Sequence, residues 1–144
     1  AAAELGGIDI LVNNVGGMIP GTLESLSEDD WARVLNVNLM AAVYTTKFAL
    51  PHLKQANGAR ILNVSGVSGK QLLPGSLTTT IPNAGIIGFS KVMAGELGAA
   101  GITVNNICPG LTNTESWGPR AEAMAKVRGV TADQVRAGIA GQTR

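Results

Sequence analysis

The 144 residues suit one domain, and 45% hydrophobic against 15% charged residues is a globular rather than a disordered composition. A net charge of +1 with no basic block excludes electrostatic capture of nucleic acid or an anionic membrane, and 3% aromatic residues exclude a base-stacking surface. Cys108 is the only cysteine, which excludes an intrachain disulfide and a Cys-rich zinc site and suits a reducing, cytoplasmic setting.

No metal site is expected. No apolar run is long enough to span a bilayer, and the opening "AAAELGGIDILVNN" lacks the basic start and cleavage site of a signal peptide. In chain order, "IDILVNN" (8–14) is the first of three short apolar runs rich in β-branched residues. "ARILNVS" (59–65) and "ITVNNIC" (102–108) are the others. Nearly continuous apolar character is the pattern of strands buried on both faces. Between them lie two long segments of helical periodicity. Alternation of β and α at this spacing predicts a parallel, layered α/β sheet with right-handed crossovers.

The first helix is predicted over 28–55, with Ser27 as cap and Glu28, Asp29 and Asp30 at the positive end of its dipole. Trp31, Leu35, Leu39, Ala42 and Leu53 form one apolar stripe, which can cover the sheet. Val34, Val37, Ala41, Tyr44 and Phe48 form a second, which needs either another subunit or further chain to cover it. The second helix is predicted over 82–98, with Thr80 or Ile81 as cap and Pro82 in its first turn. Its small residues Ala84, Gly85, Gly88, Ala94 and Gly95 point to close approach of another backbone. After Cys108, "PGLTNTESWGPR" reads as a loop. A helical "RAEAMAKVRG" and a capped "TADQVRAGIAG" follow, with no further strand.

Four segments, in order, resemble the short-chain dehydrogenase/reductase superfamily over nearly the whole chain. "DILVNNVG" resembles the family's fourth strand and its Asn-Asn-Ala-Gly turn, with Val15 in place of alanine. "NVNL" (36–39) resembles the segment that holds the active-site asparagine, here Asn38. "ARILNVSGVSG" resembles the fifth strand and its serine turn, and "NICPGLTNT" the Pro-Gly-x-x-x-Thr loop after the sixth strand. The resemblance implies a partial Rossmann-like, doubly wound domain over 1–144 with three parallel strands and long crossover helices. Residues 109–144 would form its substrate-loop and helical region. It further implies hydride transfer between NAD or NADP and a small carbonyl or alcohol compound, and a homodimer or homotetramer built through helices 28–55 and 82–98.

In an open parallel sheet, ligands sit beyond the carboxyl ends of the strands. The resemblance places the cofactor there, against Asn14, Gly16, Pro109, Gly110, Leu111, Thr112 and Thr114, with Gly16 letting backbone approach it. The family's Gly-x-x-x-Gly-x-Gly turn, which seats pyrophosphate on a helix N-terminus, does not occur within the 144 residues. Nor do its final strand and crossover. The sequence therefore reads as the central part of the fold, and tight dinucleotide binding by these residues alone is not expected.

The second departure is chemical. In the family, serine orients the carbonyl, tyrosine moves the proton, lysine lowers the tyrosine pKa, and asparagine completes a water-linked relay. Aligned on "AGIIGF", Thr79 stands at the tyrosine and Asn83 at the lysine; counting back places Gly66 at the serine. Of the four positions only Asn38 matches. Ser68 is the candidate substitute for carbonyl orientation. Tyr44, the only tyrosine, should point away from the site, and Lys91 lies about 12 Å along the helix from Asn83. Loss of a general acid costs roughly 10²–10⁴ in rate. Two readings result: an oxidoreductase of reduced activity, or an inactive binding or oligomerisation module on the same scaffold.

Overall fold

A computed structural model of the protein describes residues 2–71, 75–110, 112 and 117–140. The elements are α1 (Ala2–Leu5), β1 (Ile10–Asn13), α2 (Glu28–Leu35), α3 (Ala41–Leu53), β2 (Arg60–Val64), α4 (Leu77–Leu97), β3 (Thr103–Ile107), α5 (Trp117–Arg128) and α6 (Ala132–Ala140). The strands form one parallel sheet in the order β1-β2-β3. This is the expected α/β architecture, a partial Rossmann-like sheet with long helical crossovers.

One sheet face is packed and the other is open. Ile61 and Val104 join Ala49, Leu53, Ala59, Leu97 and Ile102 in the main core, beneath α3 and α4. On the other face Ile10, Val12 and Ile107 are exposed. The expectation of strands covered on both sides therefore holds for one side only within this chain.

The first long helix is one helical path, α2 running into α3 through a wider turn at Asn36–Met40 with an i→i+5 bond from the Ala41 N–H to the Asn36 carbonyl. Asn38 accounts for the widening. Its side-chain amide donates to the Val34 carbonyl at 2.8 Å and so competes for that acceptor with the helix backbone. The wider turn shifts the helical phase. Val34, predicted on the outer stripe, is buried with Ala42, Ala49 and Leu53, while Val37, Tyr44 and Phe48 stay exposed. At the start, Ser27 and Asp30 form a reciprocal cap: Ser27 Oγ accepts from the Asp30 N–H, and Asp30 accepts from the Ser27 N–H. The Ser27 hydroxyl, then its N–H, holds the Asp30 carboxyl below its ordinary pKa.

The second long helix corrects the sequence expectation. It begins at Leu77, so Pro82 is its sixth residue and neither Thr80 nor Ile81 is a cap. The missing Pro82 N–H leaves the Thr78 carbonyl without its usual i+4 donor. The threonines hold this early turn. Thr79 donates to the Ser76 carbonyl at 3.0 Å, Thr80 pairs with the Ser76 hydroxyl at 2.8 Å, and Thr78 ties the helix to the Ile19 carbonyl at 2.7 Å. Close backbone approach occurs at Gly69, where a Cβ would lie 2.8 Å from the Asn83 carbonyl carbon and 2.9 Å from the Ala84 nitrogen. Gly85 makes room for the Leu39 side chain, whereas Gly88 and Gly95 face open space.

The last two helices form a small hairpin with its own core of Ala121, Ala125 and Val135. The described part of α5 includes Trp117, three residues before the predicted helical run. A reciprocal Thr131–Gln134 cap opens α6 as expected.

Candidate active site

Parallel strands bring their carboxyl ends to one edge of the sheet. Asn14 follows β1 there, the Ser65–Gly69 turn follows β2, and Pro109 and Gly110 follow β3. The Val67 N–H donates to the Pro109 carbonyl at 2.9 Å, which joins the last two segments. Leu111 and Thr114, expected to contact a cofactor, lie outside the described residues. Thr112 is described and folds back on its own loop, 3.5 Å from the Gly110 carbonyl.

Asn38 is committed to backbone. Its Oδ1 accepts from the Gly17 N–H at 2.9 Å, and its Nδ2 donates to the Gly17 and Val34 carbonyls at 3.0 and 2.8 Å. The side chain clips the loop after β1 to the helix. A Cβ at Gly16 would lie 2.8 Å from Asn38 Oδ1, so the missing side chain lets Asn38 reach the Gly17 backbone.

The three substituted positions meet as a unit. Thr79 and Asn83 sit one turn apart on α4, because the helix begins at Leu77 and not at Pro82; the chemistry of the two positions has changed and their helical spacing has not. A Cβ at Gly66 would lie 2.8 Å from Asn83 Nδ2 and 3.8 Å from Ser68 Oγ. The Asn83 amide thus takes the place of a side chain at 66, and it donates to Ser68 Oγ at 3.0 Å. An amide and a hydroxyl stand where serine and lysine are expected. Thr79 is a poor proton donor on two counts: its hydroxyl is aliphatic, and its proton is already given to the Ser76 carbonyl.

Gly66, Ser68, Thr79, Asn83, Pro109 and Gly110 line one side of a cavity of about 700 Å³. The other side is α5 and α6, through Trp117, Arg120, Met124, Val127, Arg128 and Val135 among others. Roughly 300–1,000 Å³ is the size of a small-molecule site. Among the described residues outside its chain neighbours, no atom lies within 4 Å of where a Gly110 Cβ would be. On this loop the Gly110 backbone borders the cavity, while Pro109 has no N–H and its carbonyl already accepts from Val67.

Sequence reading missed the support behind this edge. Asn13, Asn63 and Asn106 occupy matched positions on the three strands and face the helices as a ladder. Asn13 Nδ2 donates to Asn63 Oδ1 at 2.7 Å and to Thr46 at 3.2 Å. Asn63 and Asn106 both donate to Ser90 Oγ, which donates to the Ile86 carbonyl. Ser65 donates to Asn106 Oδ1 at 2.7 Å, and the Cys108 thiol reaches the same oxygen. The half-buried Cys108 thus belongs to this polar row. The signal was present, since each strand carries an asparagine two residues after a core aliphatic.

The family model for short chain dehydrogenases matches residues 1–125. The chain belongs to the short-chain dehydrogenase family. It is 35% identical over 136 residues to a D-beta-hydroxybutyrate dehydrogenase of Cupriavidus necator, covering 94% of this chain and 53% of that one. It is 36% identical over 112 residues to a 3-oxoacyl-(acyl-carrier-protein) reductase of Vibrio cholerae, covering 78% and 46%. Among solved structures, L-sorbose reductase from Gluconobacter frateurii, complexed with NADPH and L-sorbose, superposes with a TM-score of 0.79 at 30% identity, over 88% of this chain and 48% of that one. This short-chain dehydrogenase chain spans about half the length of the relatives it matches. Among the described residues, no helix is long and apolar enough to cross a membrane.

Proposed function

We propose that this short-chain dehydrogenase chain binds a small carbonyl or alcohol compound in the cavity beyond its strands, without the family's acid-catalysed hydride transfer. The observation that carries this reading is the hydrogen bonding of the replaced residues: the Thr79 hydroxyl is donated to the Ser76 carbonyl, and the Asn83 amide to Ser68. Neither can pass a proton to a bound oxygen without breaking a bond that holds the site. Asn83 also carries no charge to raise the acidity of a neighbour. NAD or NADP, when bound, supplies or accepts the hydride; Pro109 and Gly110 would hold its nicotinamide end.

A second reading keeps a residual oxidoreductase activity. The Ser68 hydroxyl favours it, standing beside the position a serine at 66 would occupy and lining the cavity. Ser68 would orient a carbonyl while water supplies the proton. The outer faces of α3 and α4 and the wide turn before α3, with Val37, Tyr44, Phe48, Ile81 and Val92 exposed, suit a homo-oligomer, and the single free Cys108 suits the cytoplasm.

The test uses the full-length protein. NADH and NADPH are titrated by fluorescence, and a panel of carbonyl compounds is screened for cofactor oxidation. Binding of ligand without turnover is the expected outcome. Turnover that disappears in Thr79→Val would overturn the proposal, and turnover lost instead in Ser68→Ala would select the second reading.

A further inference from the structure

We propose that the ligand of this cavity is an organic anion with an apolar body, its carboxylate or phosphate held by Arg120 and Arg128. The inference rests on the cavity being the ligand site and goes further by naming the chemical class. Trp117, Arg120, Met124, Val127 and Arg128 follow one another on α5 at steps of three, four, three and one residues, and all line the cavity. One helical face therefore presents two guanidinium groups with apolar side chains between them.

The charge of the lining is one-sided. Among the described lining residues there is no carboxylate, and the wall opposite α5 offers Ser68, Thr79 and Asn83, which are neutral. Arg128 is exposed, and its guanidinium runs along Gly75. Gly75, with φ +77°, passes so close that a Cβ there would lie 3.3 Å from Arg128 Nε. A guanidinium carries five N–H donors in a planar fork, so one partner leaves others for an anion, and carboxylate and phosphate both match the fork. Trp117, Met124 and Val127 provide a surface for a short aliphatic or aromatic body.

The test is calorimetry on the full-length protein with no nicotinamide cofactor present, so its outcome is independent of whether the site turns over. Three probes of similar size are compared: 4-phenylbutyrate, 2-phenylethyl phosphate and the neutral 4-phenylbutyramide. Both anions are expected to bind about tenfold or more tightly than the amide at low salt, with the preference shrinking as salt rises. In Arg120→Gln/Arg128→Gln the three should come within about twofold, while the double lysine variant keeps part of the preference. A larger gain for the phosphate than for the carboxylate would assign the site to phosphate esters, and the reverse to carboxylic acids. Equal binding of the amide, retention of the preference in the glutamine variant, or no binding of any probe would overturn the proposal. The comparison of probes on the unaltered protein suffices for this even if the variants misfold.

Discussion

Gly66 and Asn83 should behave as one energetic unit, and Gly66→Ala is the perturbation that exposes it. The backbone at Gly66 is extended, with φ −162° and ψ 158°, which any residue adopts. Replacing glycine by alanine at a compatible position stabilises by about 0.4–1 kcal/mol through the unfolded chain. Here the new Cβ would lie 2.8 Å from Asn83 Nδ2, so the amide must move. Moving it breaks its bond to Ser68, worth about 0.5–1.5 kcal/mol. It also strains the Asn83 rotamer by about 0.5–1.5 kcal/mol. The steric cost is then about 1–3 kcal/mol, and Gly66→Ala should be net destabilising in the native background. With Asn83→Ala the obstruction is gone, and the same change should be neutral or stabilising. Urea unfolding of the four members of the cycle measures the coupling as midpoint shifts at constant slope. A coupling of about 1–3 kcal/mol is expected. Additivity within about 0.5 kcal/mol would refute the claim that Asn83 occupies the space a side chain at 66 would need.

Gly66→Ser, Thr79→Tyr and Asn83→Lys made together should raise the rate of carbonyl reduction about 10²–10⁴-fold over the unaltered protein, read as NADPH oxidation; Thr79→Tyr alone should gain far less, since Asn83 would still be uncharged. Asn63→Leu should destabilise by about 1–3 kcal/mol in chemical denaturation, because the Asn13 amide keeps only its bond to Thr46 and Ser90 loses a donor in a buried row. Phe48→Asp should leave the circular dichroism spectrum unchanged and lower the mass measured by light scattering, if the exposed α3 stripe joins subunits. Asp30 is held below its ordinary pKa of 3.8 in the folded state. Its contribution is therefore present above that value and lost as pH falls through the lower, folded one. Asp30→Asn should remove this part of the acid dependence, seen as a flatter plot of unfolding midpoint against pH below about 4.

The sheet and its parallel order were legible because the three apolar runs are short, β-branched and separated by long periodic segments. The edge on which the site lies followed from that order alone. The start of α4 was not legible, because Pro82 is a strong local signal for a first turn and the bonds that outweigh it reach from Thr78 to Ile19 and from Thr79 and Thr80 to Ser76. The wide turn at Asn36–Met40 was hidden for a similar reason. It depends on Asn38 turning back to Val34, and a helical period shows nothing of a side chain that competes with its own backbone. The substituted residues at 66, 79 and 83 could be named from spacing, but their mutual fit could not. That fit is a contact between a turn after β2 and a face of α4, visible only in three dimensions. The hairpin wall of the cavity falls in the 109–144 region that the resemblance assigns to the substrate loop, but nothing local aims Arg120 or Arg128 at Gly66.

The asparagine ladder has a consequence for how the chain finds its fold. Sliding any one strand by a single residue turns its side chains to the opposite face. For an all-aliphatic sheet such a slip exchanges one greasy surface for another, and the penalty is modest. Here a slip in β2 would withdraw Asn63 from between its neighbours and set an aliphatic side chain, Leu62 or Val64, against Asn13 and Ser90 beneath the helices. Each amide row is thus an error check on alignment, read out in unpaired polar atoms rather than in lost packing. It sits at the end of the sheet where misalignment would displace the cavity, so the proofreading is placed where an error would matter most.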